Sequence, residues 1–365
     1  MARPAAKSEL PACYAMVHPG LEEVSADEIT RDLKGEVKKA GKGIVAFRLN
    51  QLDERLLRIR TAEDVFLLAW GSDDLTHRPS QDLDRIRQWT KKAPWQRLLQ
   101  LHHTVHPKPK GKPTYRFITQ MSGTHGYRRI DAGRMLAEGL QGVFPPSWKP
   151  AQENASVEVW LTINGPTAVC GMRLSDRRMR HRSYKQEHLR ASLRPSIAAA
   201  MVRLAGAAPG DVVLDPMCGA GTILAEQAEL VRLRGAGRVC VIGGDIDAAA
   251  AYAAAANLRE FRPDLLARWD VRRLPIANES VDRVITNPPF GKQLLPGEVL
   301  APLYTRLVSE CDRVLKPGGR AVFLVGEAST LLAAVQPVGW AVQKQFRVRI
   351  LGLPAFVSVW RKRSG

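Results

Sequence analysis

The sequence predicts an α/β protein in which a parallel sheet, covered by helices on both faces, follows a smaller α+β half. Three observations lead there. From about Arg190 onward short apolar strands alternate with helical segments, the grammar of a parallel sheet. Before that point strands and amphipathic segments are mixed without regular alternation. A chain of 365 residues, 45% of them hydrophobic, is too long for one ordinary core and suits two or three domains.

In the N-terminal half, residues 14–17 read as a strand, and Pro19-Gly20 turns into a helix over 21–33. A second strand over 44–49 and a second helix over 52–60 complete a small α+β unit. Residues 71–92 are polar and Asp-rich, and 106–113 form a Pro/Lys tract unable to hold a helix or central strand, so both are expected to be loops or linkers. A second α+β unit follows, with strands over 115–120, 156–163 and 167–174 and a helix over 133–143.

In the C-terminal half, strand 212–214 leads to helix 222–234, strand 239–243 to the Ala-rich helix 248–258, and strand 281–286 to a loop and helix 300–315. Strand 321–325 comes after the turn Lys316-Pro-Gly-Gly319, and 342–350 with 356–360 form an expected antiparallel pair. The sequence shows no internal repeat.

The formal charge is +18, which makes polyanions the leading class of partner, because Lys and Arg displace counterions from phosphates. Residues 103–190 hold 15 basic against 6 acidic side chains, half the total excess, in two runs over 108–134 and 173–190. Composition alone leaves open an ordinary solvated basic face. No stretch reaches the roughly 18 uninterrupted apolar residues of a membrane span, and residues 1–10 lack a signal peptide's apolar segment, so a cytoplasmic protein is expected. The five cysteines are scattered without a C-x-x-C pair, which indicates neither a disulfide framework nor a cysteine zinc site.

The segment Val212-Val-Leu-Asp-Pro-Met-Cys-Gly-Ala-Gly-Thr222 is a strand, a glycine-rich turn and a helix start. Gly219 and Gly221 let backbone approach a ligand closely, and Asp215 can bind a ligand's ammonium group. Asp245 closes the next strand, where a carboxylate can accept hydrogen bonds from both ribose hydroxyls, while Asp247 reads better as the cap of the following helix. Asp270 either accepts from an adenine amino group, with Val271 lining the ring, or belongs to a surface turn. The turn lacks the Lys-Ser/Thr of a P-loop, and Leu224 stands where a dinucleotide fingerprint has its third glycine. A nucleoside carrying an amino acid fits better than a pyrophosphate.

The sharpest signal is Val284-Ile-Thr-Asn-Pro-Pro-Phe-Gly291, an apolar strand ending in Asn287 and a turn fixed by two prolines. Exocyclic amines of purines are poor nucleophiles because the lone pair is delocalised into the ring. The Asn287 side-chain carbonyl and the Pro288 backbone carbonyl can each accept one amine hydrogen, which favours a pyramidal nitrogen facing a methyl sulfonium. Phe290 can then stack on the base. A sulfonium donor carries its own activation, so no metal is expected. Methylation at a pyrimidine carbon is disfavoured because this motif has no cysteine, and ribose methylation because no Lys-rich constellation can be located.

Asp215-Pro-Met-Cys-Gly-Ala-Gly-Thr222, Gly244-Asp-Ile-Asp247 and Asn287-Pro-Pro-Phe-Gly291 resemble the motifs of class I amino-methyltransferases. Upstream, Leu174-Ser-Asp176, Arg182-Ser-Tyr-Lys185 and Ala191-Ser-Leu-Arg-Pro-Ser-Ile-Ala198 resemble the segment joining an RNA-binding THUMP domain to such an enzyme. Pro19-Gly-Leu-Glu-Glu23 resembles the start of the ferredoxin-like domain that precedes THUMP. The chain is most similar to the bacterial and archaeal tRNA guanine-N2-methyltransferases acting on guanosine 6 of the acceptor stem.

That resemblance implies a class I Rossmann-like domain with a seven-stranded, mostly parallel sheet over 192–365. A ferredoxin-like domain over 10–75, a THUMP domain over 76–178 and a linker over 179–191 would precede it. The cofactor implied is S-adenosyl-L-methionine, held by Asp215, Cys218, Gly219, Ala220, Gly221, Asp245, Ile246, Asp270, Val271 and Asn287, with Leu193, Arg194 and Pro195 near its methionine part. Asn287, Pro288, Pro289 and Phe290 would form the reaction site. Where relatives carry an aromatic residue and a serine, this chain has Met217-Cys218.

The partner implied is the acceptor end of tRNA, bound by a monomer, with phosphate contacts expected from Lys108, Lys110, Arg128, Arg129, Arg178, Arg180 and Arg182. A paired guanosine would have to be flipped to reach the site. The alternatives are a 23S ribosomal RNA guanine-N2-methyltransferase, a protein-glutamine or DNA-adenine methyltransferase, and a non-catalytic RNA-binding module.

Overall fold

A computed structural model describes residues 12–76, 78–107, 111–189, 192–235, 237–290 and 299–364. It divides into two compact units: residues 1–16 with 26–179, and residues 17–25 with 180–365.

Among the described residues of the first unit, one mixed sheet runs in the order β2-β3-β1-β4-β8-β7-β5-β6. Its strands are β1 Cys13–Val17, β2 Glu36–Gly41, β3 Ile44–Arg48, β4 Ala62–Ser72, β5 Thr114–Ser122, β6 Lys149–Pro150, β7 Val157–Asn164 and β8 Thr167–Arg173. The antiparallel pairing of β4 with β8 joins the two segments expected to be separate α+β units into a single sheet. Helix α1 spans Glu22–Leu33, followed later by α2 Pro79–Lys92, α3 Trp95–Val105, α4 Arg129–Gly139 and the single turn α5 Arg177–Arg180.

Three sequence expectations fail here. Residues 71–92, expected as loop, contain α2, whose buried positions Asp82, Ile86 and Thr90 recur every four residues. Two of those three are polar, so the buried stripe carries no hydrophobic signal; Asp82 is satisfied internally by the amide and hydroxyl of Thr76. The helix expected over 52–60 is only a 3-10 turn at Glu54–Arg58, capped by Asp53, before the chain enters β4. The helix expected over 133–143 instead spans Arg129–Gly139, because the Asp131 carboxylate accepts the Arg128 amide and closes the N-terminus earlier.

A charged cluster ties the centre of this sheet. Arg173 on β8 lies 2.7 Å from the fully buried Asp64 on β4 and 2.9 Å from Glu158 on β7, and the Ser175 hydroxyl also donates to Asp64. Removing one partner of such a set strands a charge in low dielectric.

In the second unit, β9 Val212–Asp215, β10 Cys240–Asp245, β11 Leu265–Arg268, β12 Val281–Thr286 and β13 Leu315–Val325 run parallel, and β14 Ala341–Ile350 and β15 Leu353–Arg361 close the sheet antiparallel. The order is β11-β10-β9-β12-β13-β15-β14, the seven-stranded, mostly parallel arrangement expected. Alternate residues feed opposite faces, as the two-residue strand period requires. Val213, Ile285, Val322 and Leu324 pack on one side with α6 Pro195–Ala205, α7 Thr222–Arg234 and α8 Ala248–Leu258. Leu214, Val284, Ala321 and Phe323 pack on the other with α9 Leu300–Val314 and α10 Ala328–Val335.

Asp64→Ala is expected to lower the stability of the first unit by about 3 kcal/mol, since Glu158 still holds the guanidinium. Urea unfolding followed by tryptophan fluorescence measures it, and a loss below the noise would show that the cluster is only decorative.

Candidate active site

The strand order sets the site. From β9 the chain runs outward through β10 to β11, then returns to β12 on the other side of β9, so the order reverses between β9 and β12. Loops leaving the carboxyl ends of these two strands diverge and leave a crevice, the usual ligand position in an open parallel sheet. The register places Asp215, at the end of β9, beside Gly243 on β10, and Val284 beside Leu214. Asp215 and Asn287 therefore flank the reversal point, 72 residues apart in sequence but on adjacent strands.

The glycine-rich turn is built as its residues predict. Gly219 has φ of +51°, and a Cβ added there would meet nothing within 4 Å, so this backbone faces open space. Gly221 has φ of +74° and caps α7, where an added Cβ would press on Ala254 and Leu258 of α8. Asp245 ties the turn to β10: one carboxylate oxygen accepts the Gly219 amide at 2.9 Å and the other the Asp247 amide at 3.1 Å. Each oxygen keeps a lone pair for a further donor. Cys218 and Ala220 are buried in the turn, and Ile246 is exposed beside Asp245.

Asp215 is fully buried, and burial pushes its carboxyl up to about 7. The Thr286 hydroxyl and the Met217 amide oppose that shift, and the Asp245 charge adds to it. Asp247 caps α8 through the Ala249 amide, as read from the sequence. Asp270 is held by Arg272, whose side chain and amide both donate to it, and this pairing keeps its carboxyl below the usual range. Val271 is buried in the core beside it. Leu193 packs against the α6 side of the sheet, Arg194 is exposed, and Pro195 begins α6.

At the end of β12, Asn287 leaves its side-chain oxygen buried without a partner among the described residues. A buried carbonyl with no donor is rare and calls for an external one. Pro288 is buried beside it, and the Pro289 carbonyl accepts a 3.3 Å hydrogen bond from Tyr304 of α9. Phe290, expected to stack on a base, is instead 8% exposed and packs against Gly326, where an added Cβ would lie 2.9 Å from the ring. Gly291 lies outside the described residues.

The expected RNA contacts divide. Arg182 is a correction: it is 6% exposed, and its guanidinium pairs with the buried Glu226 at 3.3 Å, so its charge is satisfied inside the fold. Arg128, Arg129 and Arg178 are exposed, with Arg128 and Arg178 paired to Asp131 and Asp176 on the surface. Arg180 is half-buried, and Lys108 and Lys110 lie outside the described residues.

Sequence reasoning missed the groups that support the site. Trp269 donates its indole N–H to the Pro216 carbonyl at 2.9 Å and fills the space that a side chain at Gly244 would need. Tyr304 holds the Pro289 carbonyl, and Glu226 and Asn257 are buried polar residues on α7 and α8. The available signal was a polar residue on an otherwise apolar helix face. Among the described residues there is no group of three side chains able to hold a metal, and no helix long and apolar enough to cross a membrane.

Residues 182–354 match the RMKL-like methyltransferase domain family. The chain is 30% identical over 339 residues to the tRNA (guanine(6)-N2)-methyltransferase of Thermus thermophilus, covering 90% of this chain and 93% of that protein. It is 29% identical over 255 residues to the tRNA (guanine(6)-N(2))-methyltransferase THUMP3 of Bos taurus, where it spans about half of the relative's length. The crystal structure of TrmN from Thermus thermophilus superposes with a TM-score of 0.76 at 28% identity, covering 96% of this chain and 99% of that one.

The raised Asp215 carboxyl makes a pH prediction. A carboxyl held neutral in the fold contributes stability that is complete below its unfolded value near 4 and is lost as pH rises through about 7. Asp215→Asn, neutral throughout, is expected to match the wild type in urea unfolding near pH 4 and exceed it at pH 8. A stability difference that does not change with pH would refute the shifted carboxyl.

Proposed function

Since the chain belongs to the tRNA (guanine(6)-N2)-methyltransferase family, we propose that it methylates the exocyclic 2-amino group of a guanosine in tRNA, guanosine 6 of the acceptor stem, using S-adenosylmethionine in the cytoplasm. The observation that carries the chemistry is the buried Asn287 oxygen, without a partner among the described residues, at the strand-order reversal next to Asp215.

The residues present fit S-adenosylmethionine. Gly219 opens onto free space, Asp245 keeps acceptor capacity for ribose hydroxyls, and Asp215 offers a carboxylate to the methionine ammonium. When bound, this cofactor supplies a methyl group on a sulfonium, whose thioether leaves without further activation. Asn287 and the Pro288 carbonyl each accept one hydrogen of the guanine amine, which draws the nitrogen lone pair out of conjugation and orients it. Tyr304 keeps the two-proline turn in place through the Pro289 carbonyl, and Phe290 shields it from water. The alkylated amine then gives up its surplus proton to solvent water, which restores a neutral base.

A guanosine within a stem reaches this site only when flipped, at a cost of a few kcal/mol. Phosphate contacts from Lys108, Lys110, Arg128, Arg129, Arg178 and Arg180 offset that cost and make binding salt-dependent. The tRNA reading is favoured over ribosomal RNA, protein or DNA by the 30% identity over 90% of the chain to an enzyme named for tRNA guanosine 6.

Asn287→Ala is expected to bind S-adenosylmethionine within about threefold of wild type while methyl transfer to tRNA falls roughly 10²–10³-fold. Mass spectrometry of nucleosides checks the product, and that of mapped nuclease fragments the position, in a tRNA panel; full transfer by the variant, or a methylated adenosine, would overturn the assignment. Cofactor affinity should also strengthen as pH rises through about 7, where Asp215 ionises. Isothermal titration at pH 6 and 8 reads this, and equal affinities would remove Asp215 from the ammonium site.

A further inference from the structure

Asn257, at the last turn of α8, is 2% exposed, and all four hydrogen-bonding positions of its side-chain amide are used. Its oxygen accepts the amides of Gln186 and Glu187, both at 2.8 Å. Its nitrogen donates to the carbonyl of Glu187 at 3.0 Å and to that of Ala220 at 2.9 Å. Neither loop lies in a helix or strand, yet one buried amide joins them. One is the segment just before α6; the other is the glycine-rich turn, where Ala220 sits between the open Gly219 and the helix cap Gly221.

Other bonds secure the same segment from its two sides. The Tyr184 hydroxyl donates to Glu226 on α7 at 2.7 Å, next to the Arg182 pair, and the Lys185 ammonium donates to the Leu193 carbonyl at 3.0 Å. Residues 182–187 are thus attached to the helices around the glycine turn, and Lys185 reaches the carbonyl of Leu193, the position expected beside the methionine part of the cofactor. The turn is held from β10 by Asp245 and from α8 by Asn257.

We propose that Asn257 is a positioning residue for the cofactor site: through the Ala220 carbonyl and the amides of 186 and 187 it sets the glycine turn and the 186–187 loop as one piece. Cofactor affinity therefore depends on a side chain that touches no ligand. The inference rests on the S-adenosylmethionine reading given above. An aspartate at this position keeps the two acceptor bonds but turns an anionic oxygen toward two carbonyls, whereas a serine is too short to reach both loops. Substitution should therefore loosen the turn while leaving Asn287, Pro288 and the RNA contacts unchanged.

The experiment titrates full-length wild type, Asn257→Asp and Asn257→Ser with S-adenosylmethionine by calorimetry, at a temperature where circular dichroism shows each folded. Both variants should weaken the Kd at least tenfold, with KM for tRNA within twofold and kcat at saturating cofactor within threefold of wild type. A folded variant with wild-type Kd overturns the proposal, and so does a loss confined to kcat. Hydrogen exchange on the wild type keeps the idea testable if the variants do not fold. Addition of cofactor should slow exchange in 183–189 together with 217–222, and protection of 217–222 alone counts against it. Wild type that fails to bind S-adenosylmethionine at all would instead remove the methyltransferase reading.

Discussion

The reversal of strand order between β9 and β12 is the constraint on which the site depends. Parallel strands must be joined by crossovers, and a sheet that grows first one way and then the other parts its loops once, at the middle. That parting brings Asp215 and Asn287 to neighbouring strand ends. It also explains the unusual electrostatics. Asp215 is buried there, which pushes its carboxyl toward neutrality, and the Asn287 amide oxygen has no donor among the described residues. Both conditions are costly, and the proposed function gives each a use, a cationic amino acid beside Asp215 and an aromatic amine beside Asn287.

Around that centre, backbone geometry is held by side chains that perform no chemistry. Asp245, Trp269, Asn257 and Tyr304 each bind a main-chain group of a loop at the crevice. Loops carry functional groups but have no ladder of their own, so buried polar side chains from the surrounding helices and strands supply the missing partners. Asn257 is the most fully used of these, with two donors and two acceptors engaged.

The basic surplus is likewise divided by structure. Arg173 and Arg182 are drawn into buried pairs that hold the two units' own cores, while Arg128, Arg129 and Arg178 remain at the surface. A net charge of +9 over residues 103–190 therefore overstates what an RNA backbone can meet. The remaining exposed cations still favour a polyanion, because Lys and Arg displace counterions wherever they reach phosphate.

The sequence by itself determined six of the seven strands of the C-terminal sheet, helices α7 and α8 to the residue, the glycine turn, the Asp247 cap and the Asn287 strand end. In each of these, hydrophobic period, glycine and proline act locally and point the same way. It supplied no range for β11, and 316–319, expected as a turn, lies inside β13. Only the tertiary structure decided that 79–92 is a helix, since its buried face is Asp82, Ile86 and Thr90 and the helix packs against α4. The same holds for Arg182 turning inward to Glu226, for Phe290 lying on Gly326, and for Asn257 bridging two loops. Polar burial leaves no periodic trace, because whether a charged or amide side chain is satisfied depends on which groups the fold brings within about 3 Å of it.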